Sequence, residues 1–367
     1  MNRAIILNSR ERILSAFYLE EPDKVPVSLY MGLYWLNWVS QDTFWFFIRE
    51  TDAIVRVPLK YDGIFLTSTP KVRIFKKTYK ISKNRLLFET IVRISDSELK
   101  QVAISENGIT WIKEPFIKSD EDIEIWLSIP YEPVRVYVNE YFYYDKKINK
   151  EGLTFLSFSD PIGHLYSLFS KSLFMVNIIK KRKIMEDILN IIWERFEDLL
   201  VSVLEKGALR LWLSGPEHLC PTFFNPKYFD IVVKYDKKVA KLIHEYDGIY
   251  YMHCHGRIKQ ILNKFKLIGI DALDTIDPPP QGDCDLETAK KVLGDTICLL
   301  GNVSSVLMAQ GSPCKIKSAV KSCIEKGALG GGYVLQPTSG TIVDVPIKNL
   351  LAFVKAGRKY GMYYSKD

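Results

Sequence analysis

The feature that most constrains the fold of this chain is the alternation of helix and strand patterns in its second half. Residues 185–206 place apolar side chains at a helical period, and Gly207 follows where helices commonly end. The apolar run LRLWLS comes next, and Asn225-Pro226 then supplies a helix cap and a proline at the first helical position. The pattern continues with predicted strands at IYYMHC, 270–276, TICLLG and YVLQ, and predicted helices at 257–268, 286–293, 315–326 and 347–360.

Strands that alternate with helices in this way indicate parallel βαβ units. Such units build either a doubly wound sheet or a closed barrel. No GxGxxG motif follows a strand here, which disfavours the dinucleotide-binding form of the doubly wound sheet. At least five βα units follow residue 208, and the chain before them has room for three more. We therefore predict an α/β fold: a single (βα)8 TIM barrel over residues 1–367, with an N-terminal extension.

The first half of the chain is less regular. Residues 70–115 are rich in β-branched residues and contain turn signals at Lys83-Asn84 and Asn107-Gly108. They predict a β-hairpin-like insertion in the barrel, without a core of its own. Residues 30–48 are rich in aromatic side chains, which we interpret as packing at one end of the barrel. A wall of the substrate pocket and an oligomer contact, as in a homodimer, stay open as alternatives for this segment.

Composition excludes several classes of protein. Apolar residues make up 47% and charged residues 25% of the 367, which is typical of a globular protein and not of a disordered chain. The net charge of +7 comes from scattered lysines, so we predict no nucleic-acid partner. The six cysteines form no CxxC pair and indicate reduced thiols inside the cell. No apolar stretch reaches the ~18 residues of a membrane span, so we predict a cytoplasmic protein without a membrane partner.

Polar side chains recur where the predicted strands end. In a parallel barrel, catalytic groups lie at the carboxyl ends of the strands. The residues at these positions are Ser159, Asp160, Glu217, His218, His253, His255, Asp274, Asp277, Gly301, Asn302, Thr338 and Ser339. From this set we predict catalytic roles for Asp160, Glu217 and Asn302, and cofactor binding by Asp274 and Ser339.

His253 and His255 are the most informative members of this set. They alternate along an extended segment, so both side chains point to one side while Cys254 points to the other. Two imidazoles on one side suit a divalent metal. Glu217 ends the preceding strand and is the best carboxylate to join them, although a purely structural role for Glu217 stays open. The alternative for the histidines is a hydrogen-bonded pair that binds substrate without metal.

Several segments of the chain resemble the uroporphyrinogen decarboxylase superfamily, which also contains cobalamin-dependent methyltransferases acting on thiols. The start, SRERILSAFYLEEPDKVPVSL, is similar to the family's opening, and GITWIKEPFIKSDEDIEIW to its middle segment. The segments from LWLSGPEHL to IYYMHCHG and from LGNVSSVLM to IKNLLAFV are the most specific. The resemblance runs almost from end to end and implies a (βα)8 barrel.

The resemblance also bears on the reaction. Decarboxylases of this family carry an arginine-rich RQAGRY segment that clamps substrate carboxylates, whereas the corresponding stretch here, SLYMGLYWLNW, has no arginine. The absence of these cations disfavours uroporphyrinogen decarboxylation. This reaction, or a related metal-free lyase reaction in tetrapyrrole metabolism, is the alternative to methyl transfer. A barrel that binds a ligand without turnover is a further alternative.

The methyltransferase branch of the family binds zinc through an HxCG motif and a later cysteine. Here His253 matches, His255 stands where the cysteine would be, and Ser339 stands where the later cysteine would be. The resemblance thus implies a methyltransferase-like enzyme in which His253, His255 and Glu217 hold a divalent metal, zinc by analogy. The metal would activate a thiol or another small-molecule acceptor, and a methyl-corrinoid carried by a partner protein would be the donor.

Overall fold

The computed structural model describes residues 6–106, 109–338 and 345–363. The chain forms two compact units. The first unit contains the chain up to Leu59, the segment Val138–Phe158 and the chain from Gly207 onward. The second unit contains Lys60–Tyr137 and Ser159–Lys206.

The described residues form fourteen strands. In chain order they are β1 (Met31–Gly32), β2 (Ala53–Pro58), β3 (Lys60–Tyr61), β4 (Val72–Ser82), β5 (Arg85–Ile94), β6 (Ser97–Glu106), β7 (Ile109–Glu114), β8 (Val136–Tyr137), β9 (Gly152–Ser159), β10 (Arg210–Ser214), β11 (Ile249–Cys254), β12 (Ala272–Thr275), β13 (Cys298–Val303) and β14 (Tyr333–Pro337).

Thirteen α-helices lie in the same described ranges. They are α1 (Ser9–Phe17), α2 (Gln41–Glu50), α3 (Asp120–Leu127), α4 (Asn139–Ile148), α5 (Pro161–Leu168), α6 (Lys171–Lys180), α7 (Arg182–Glu205), α8 (Phe229–His244), α9 (Leu262–Ile268), α10 (Leu286–Leu293), α11 (Ser305–Gln310), α12 (Pro313–Gly327) and α13 (Ile347–Tyr360). None of these helices combines the length and the apolar character that crossing a membrane requires.

Eight strands of the first unit form one sheet in the order β1-β2-β9-β10-β11-β12-β13-β14. Parallel registers join β1 to β2, β2 to β9, and each consecutive pair from β10 to β14. The prediction of an α/β fold with at least five βα units after residue 208 is therefore confirmed. The segment before β1 also pairs with β14: Ser28 N donates to Leu335 O, and Leu335 N donates to Pro26 O, both at 2.9 Å.

Burial explains why the strands of this sheet read as continuous apolar runs. Every residue of β11 and of β13 is buried, as expected for parallel strands that are covered on both faces. In the core of the unit, the ring of Tyr251 packs edge-on against Phe155 of β9, with 5.4 Å between ring centroids. Phe17 at the end of α1 lies 5.5 Å from Phe155 by the same measure. The predicted N-terminal extension therefore contributes to the core of the first unit.

The second unit contains more than the predicted hairpin. Residues between Val72 and Glu114 form a four-stranded antiparallel sheet in the order β4-β5-β6-β7. The turn predicted at Lys83-Asn84 does join β4 to β5, while Asn107-Gly108 lies outside the described residues. Buried residues such as Val92 of the sheet and Trp126 of α3 lie in this compact unit. The single-domain organisation with an insertion at 70–115 stays a prediction.

A buried arginine connects three segments of the first unit. Arg12 of α1 is 4% exposed and donates two hydrogen bonds to Asp23, at 2.7 and 2.9 Å, and one to Asp52, at 2.5 Å. The other carboxylate oxygen of Asp52 accepts the backbone N–H of Val27 at 2.9 Å. This network fixes α1 against the chain segments that lead into β1 and β2.

We expect the substitution Arg12→Met to lower the free energy of unfolding by about 3–5 kcal/mol, because it leaves the buried Asp52 and the partly buried Asp23 without their cation. Denaturant unfolding followed by circular dichroism would measure the change. Arg358→Met is the matched control, because Arg358 and Glu50 form an exposed pair that should contribute at most about 1 kcal/mol. Equal effects of the two substitutions would contradict the importance of the Arg12 network.

Candidate functional site

The site is built around His253, which lies on β11 between Ser214 of β10 and Asp274 of β12 in the parallel register. Its Nδ1 is 2.5 Å from Oδ1 of Asp274 and 3.0 Å from the hydroxyl of Tyr30. The other carboxylate oxygen of Asp274 accepts a hydrogen bond of 2.5 Å from the hydroxyl of Tyr251. Asp274 is fully buried, and these contacts supply the partners that a buried carboxylate requires.

His255 forms a second histidine–carboxylate pair one residue beyond β11. Its Nδ1 lies 3.1 Å from Oδ2 of Asp277, which also accepts the backbone N–H of Gly256 at 2.9 Å. The hydrogen bond to Asp277 is the main reason that the pKa of His255 is raised above its ordinary value. Burial opposes ionisation of Asp277, but the bonds from His255 and Gly256 outweigh it and lower the pKa of this carboxyl.

Gly256 is required where the chain leaves β11. Its φ of +88° lies in the left-handed region, and a Cβ at this position would come within 2.3 Å of Oγ1 of Thr222. The sharp exit that glycine permits lets the Gly256 amide reach Asp277, which in turn holds His255.

The two imidazole rings meet edge to face, with 4.7 Å between their centroids and 73° between their planes. Their close approach confirms the prediction, made from their alternation on the strand, that both point to one side. In each ring Nδ1 is held by a carboxylate, so a neutral ring that donates from Nδ1 has its lone pair on Nε2. Histidines that bind metals or accept protons in enzymes are commonly oriented in this way.

The third predicted metal ligand, Glu217, is not joined to these histidines. It lies in a 3-10 turn, Pro216–Leu219, directly after β10, and its Oε2 accepts the backbone N–H of Gly215 at 2.9 Å. Its negative charge still contributes to the raised pKa of His255. In the ranges that the structure describes, no three His, Cys, Asp or Glu side chains are arranged to hold a metal ion. The metal site with His253, His255 and Glu217 stays a prediction.

The other predicted site residues have specific local contacts. Asn302, at the end of β13, donates from Nδ2 to the carbonyl of Ile276 at 2.9 Å and accepts from the thiol of Cys323 at 3.4 Å. Asn302 therefore supports the loop that carries Asp277. Asp160 belongs to the second unit, where it caps α5 by accepting the N–H of Gly163 at 2.6 Å. Ser339 lies outside the described residues.

Sequence reasoning missed Arg56, a buried cation on β2. Its guanidinium carbon lies 3.6 Å from the ring centroid of Tyr30 and 4.7 Å from that of Trp212, and its Nη2 donates to the carbonyl of Tyr30 at 3.0 Å. Trp212 in turn lies 4.9 Å from the ring of His253. The signal for Arg56 was present in the sequence, since AIVRVP contains one charged residue in an otherwise apolar strand.

The tyrosines of the site remain protonated donors at neutral pH. Burial raises the pKa of both Tyr30 and Tyr251 well above the ordinary value. Tyr251 can therefore donate to Asp274 over the whole pH range in which a histidine titrates.

Comparison with known proteins identifies related sequences and a related fold. Residues 161–360 match the family described as uroporphyrinogen decarboxylase (URO-D). The methylcobamide:CoM methyltransferase MtaA of Methanosarcina barkeri is 27% identical over 201 residues, which cover 54% of this chain and 56% of that protein. The chain thus matches little more than half the length of this relative. A uroporphyrinogen decarboxylase of Pseudoalteromonas atlantica is 32% identical over 82 residues, or 22% of this chain and 23% of that protein.

A solved structure, a methyltransferase from Methanosarcina mazei, aligns with 96% of this chain and 99% of its own chain at a TM-score of 0.64. Its sequence identity is 19%, so this likeness shows the fold alone.

We expect the substitution Asp277→Asn to lower the pKa of His255, because the neutral amide no longer favours the imidazolium. NMR titration of the histidine Cε1–H signals in chelator-treated protein would measure it. His244, whose pKa is raised by Asp271, is the internal control and should titrate unchanged. In the unmodified protein, charged His255 stabilises the fold below its unfolded pKa of about 6.5, and this contribution is lost as the pH rises through the folded value. An unaltered titration of His255 in the variant would show that Asp277 does not control it.

Proposed function

The chain belongs to the uroporphyrinogen decarboxylase family, and we propose that it is a methyltransferase-like member that transfers a methyl group from a methyl-corrinoid to a thiol or another small acceptor. The observation that carries this proposal is the pair of adjacent imidazoles, each held at Nδ1 by a carboxylate. The sequence match to a methyltransferase that is named for methylcobamide and CoM supports it further.

We also propose that the eight parallel strands of the first unit close into a (βα)8 barrel. The pairing of the segment before β1 with β14, at the two ends of the sheet order, supports closure. In a closed parallel barrel the carboxyl ends of the strands form one face. His253, Asp274 and Asn302 then share that face, which makes it the place for substrate.

His253 is suited to activate an acceptor thiol. The thiolate is the nucleophile in thiol chemistry, so the acceptor must lose its proton before it can take a methyl group. Nε2 of His253 accepts this proton, and Asp274 stabilises the resulting imidazolium through its contact with Nδ1. Tyr251 keeps Asp274 in position from the other side. The thiolate would then attack the methyl carbon of the donor, so that a carbon–sulfur bond forms while the carbon–cobalt bond breaks and its electron pair leaves with the corrinoid.

A divalent metal fits the site in part. The imidazoles of His253 and His255 are oriented by carboxylates in the manner of metal ligands, whereas the carboxylate of Glu217 accepts the amide of Gly215. We propose that these histidines are ligands through Nε2, with Glu217 as the third. A ring bound to a metal through Nε2 cannot accept a proton there, so in the metal-bound form the ion would replace His253 in activating the thiol. When bound, a zinc-like ion would lower the pKa of an acceptor thiol.

In this proposal the methyl-corrinoid is bound by a separate corrinoid protein, which presents it to the site.

Decarboxylation of a porphyrinogen, or a related metal-free lyase reaction, is the second candidate. The buried cation Arg56 favours it, since carboxylates need cations. Against it, Asp274 and Asp277 add negative charge at the site, and Arg56 already donates to Tyr30 and to the hydroxyl of Tyr34.

We expect the purified chain to methylate coenzyme M, the first thiol to test, when methylcobalamin is the donor. Mass spectrometry of the methylated thiol and loss of the donor's absorbance would measure the rate. The substitution His253→Gln removes the proton acceptor and should lower this rate by about 10²- to 10⁴-fold. His244→Gln, on a partly exposed histidine that pairs with Asp271, should leave the rate unchanged. Turnover of uroporphyrinogen without any methyl transfer would favour the lyase reaction instead.

We expect elemental analysis of the chain, after growth and purification with added zinc, to find one metal ion per chain. His255→Ala should remove most of it, because it deletes one of three proposed ligands, whereas His244→Ala should retain it. If the unmodified protein holds no stoichiometric metal, the two histidines act without one, and the acid–base role of His253 remains to be judged by the methylation assay.

A further inference from the structure

The second unit contains a cavity of about 230 Å³ that has no role in the proposed reaction. It lies among the turn after β3, the sheet residues Gln101 and Ile112, and the helices α3, α5 and α7. All twelve residues that line it belong to the second unit, and none of them carries a charge at neutral pH. Ile112 lines the cavity and is 43% exposed, so the cavity can be reached from solvent.

Two lining residues carry buried nitrogen atoms without hydrogen-bond partners. These atoms are Nε2 of His164 on α5 and Nε1 of Trp126 on α3. A buried polar atom without a partner is unfavourable, and native proteins rarely leave one unless a water molecule or a ligand completes it. Burial also lowers the pKa of His164 to about 4, so this imidazole is neutral at physiological pH. A neutral imidazole can donate or accept a hydrogen bond, whereas the indole N–H can only donate.

The walls of the cavity are aromatic and apolar. The ring of Phe65 packs edge-on against Phe116, with 4.9 Å between centroids, and lies 6.3 Å from the ring of Trp126. Rings arranged in this way provide flat surfaces and edges for another planar ring. A cavity of about 150 Å³ is enough for benzene, so this larger one admits a two-ring compound.

The turn that supplies two of these walls is strained. Phe65 and Leu66 have φ values of +53° and +59°, and the turn is closed by hydrogen bonds of 3.0 Å between Ile64 and Thr67 in both directions. Turns with two positive φ values normally use asparagine and glycine, because bulky side chains are unfavourable there. This turn instead directs a phenylalanine and a leucine to the cavity, as expected where strain is retained for binding.

We propose that this cavity binds a neutral, planar, two-ring heteroaromatic compound that exchanges a hydrogen bond with His164. The absence of charged lining residues excludes strongly ionic ligands, and the aromatic walls select flat ones. An acceptor atom of such a ligand accepts a hydrogen bond from a buried nitrogen that has no partner, and the apolar ring of the ligand replaces water at the aromatic surfaces. The binding requires no turnover, so it is tested independently of methyl transfer.

The experiment compares two probes of the same shape on the full-length chain at pH 7.5: indazole, which has a donor and an acceptor nitrogen, and indene, which has neither. Saturation-transfer NMR and calorimetry would measure their affinities. We expect indazole to bind about fivefold more tightly than indene, the factor that one net hydrogen bond provides. In His164→Phe, which keeps a ring but removes both nitrogens, the ratio of the two affinities should fall toward one, with the indole N–H of Trp126 as the remaining donor.

A second variant keeps the test decisive if His164→Phe fails to fold. Ile192→Trp on α7 fills the cavity and should weaken the binding of both probes at least tenfold. Circular dichroism would check that this variant is folded. Leu267→Trp, at an exposed position of the first unit, is the matched control and should bind both probes normally. Equal affinities of the two probes for the unmodified chain, or full indazole binding by folded Ile192→Trp, would overturn the proposal.

Discussion

Parallel backbone pairing is the constraint on which the candidate site depends. The register that pairs His253 of β11 with Asp274 of β12 brings an imidazole and a carboxylate into contact without any dedicated loop. A shift of one residue between the two strands would turn one of these side chains to the opposite face of the sheet and separate the pair. Because a parallel sheet buries both faces of its strands, the pair is also removed from water, and each member depends on the other for a hydrogen bond.

Charge at this site is balanced by short-range contacts. Asp274 uses one oxygen for His253 and the other for Tyr251, and the guanidinium of Arg56 contributes a positive charge nearby. His255 is in a different situation, because Asp277 raises its pKa and its side chain is 49% exposed. A metal ligand must be deprotonated, so the same carboxylate that orients His255 also makes a proton compete with a metal ion. Metal affinity at this pair should therefore increase with pH.

The sequence predicted the elements of the fold better than the contacts between side chains. Helix periods, caps and apolar runs are local, and the strand predicted at IYYMHC coincides with β11. The common direction of His253 and His255 follows from strand geometry alone and was predicted. The engagement of Glu217 by Gly215 depends on the path of one short turn, which residue spacing does not determine. The core of the second unit joins residues 60–137 to residues 159–206, and local patterns carry no information on such distant packing.

The histidines of this chain lie in different environments, and each environment suits a different role. His164 is enclosed by apolar side chains, and its pKa of about 4 leaves it neutral at physiological pH. It can exchange a hydrogen bond there, but it cannot carry a proton through a catalytic cycle near pH 7, where general acid–base catalysts need a matched pKa. His253 and His255 each contact a carboxylate through Nδ1, and in the proposed function Nε2 of each ring takes the proton or the metal ion. In the functions proposed for this chain, the histidines paired with carboxylates serve the chemistry of the first unit, and the neutral His164 serves binding in the cavity of the second.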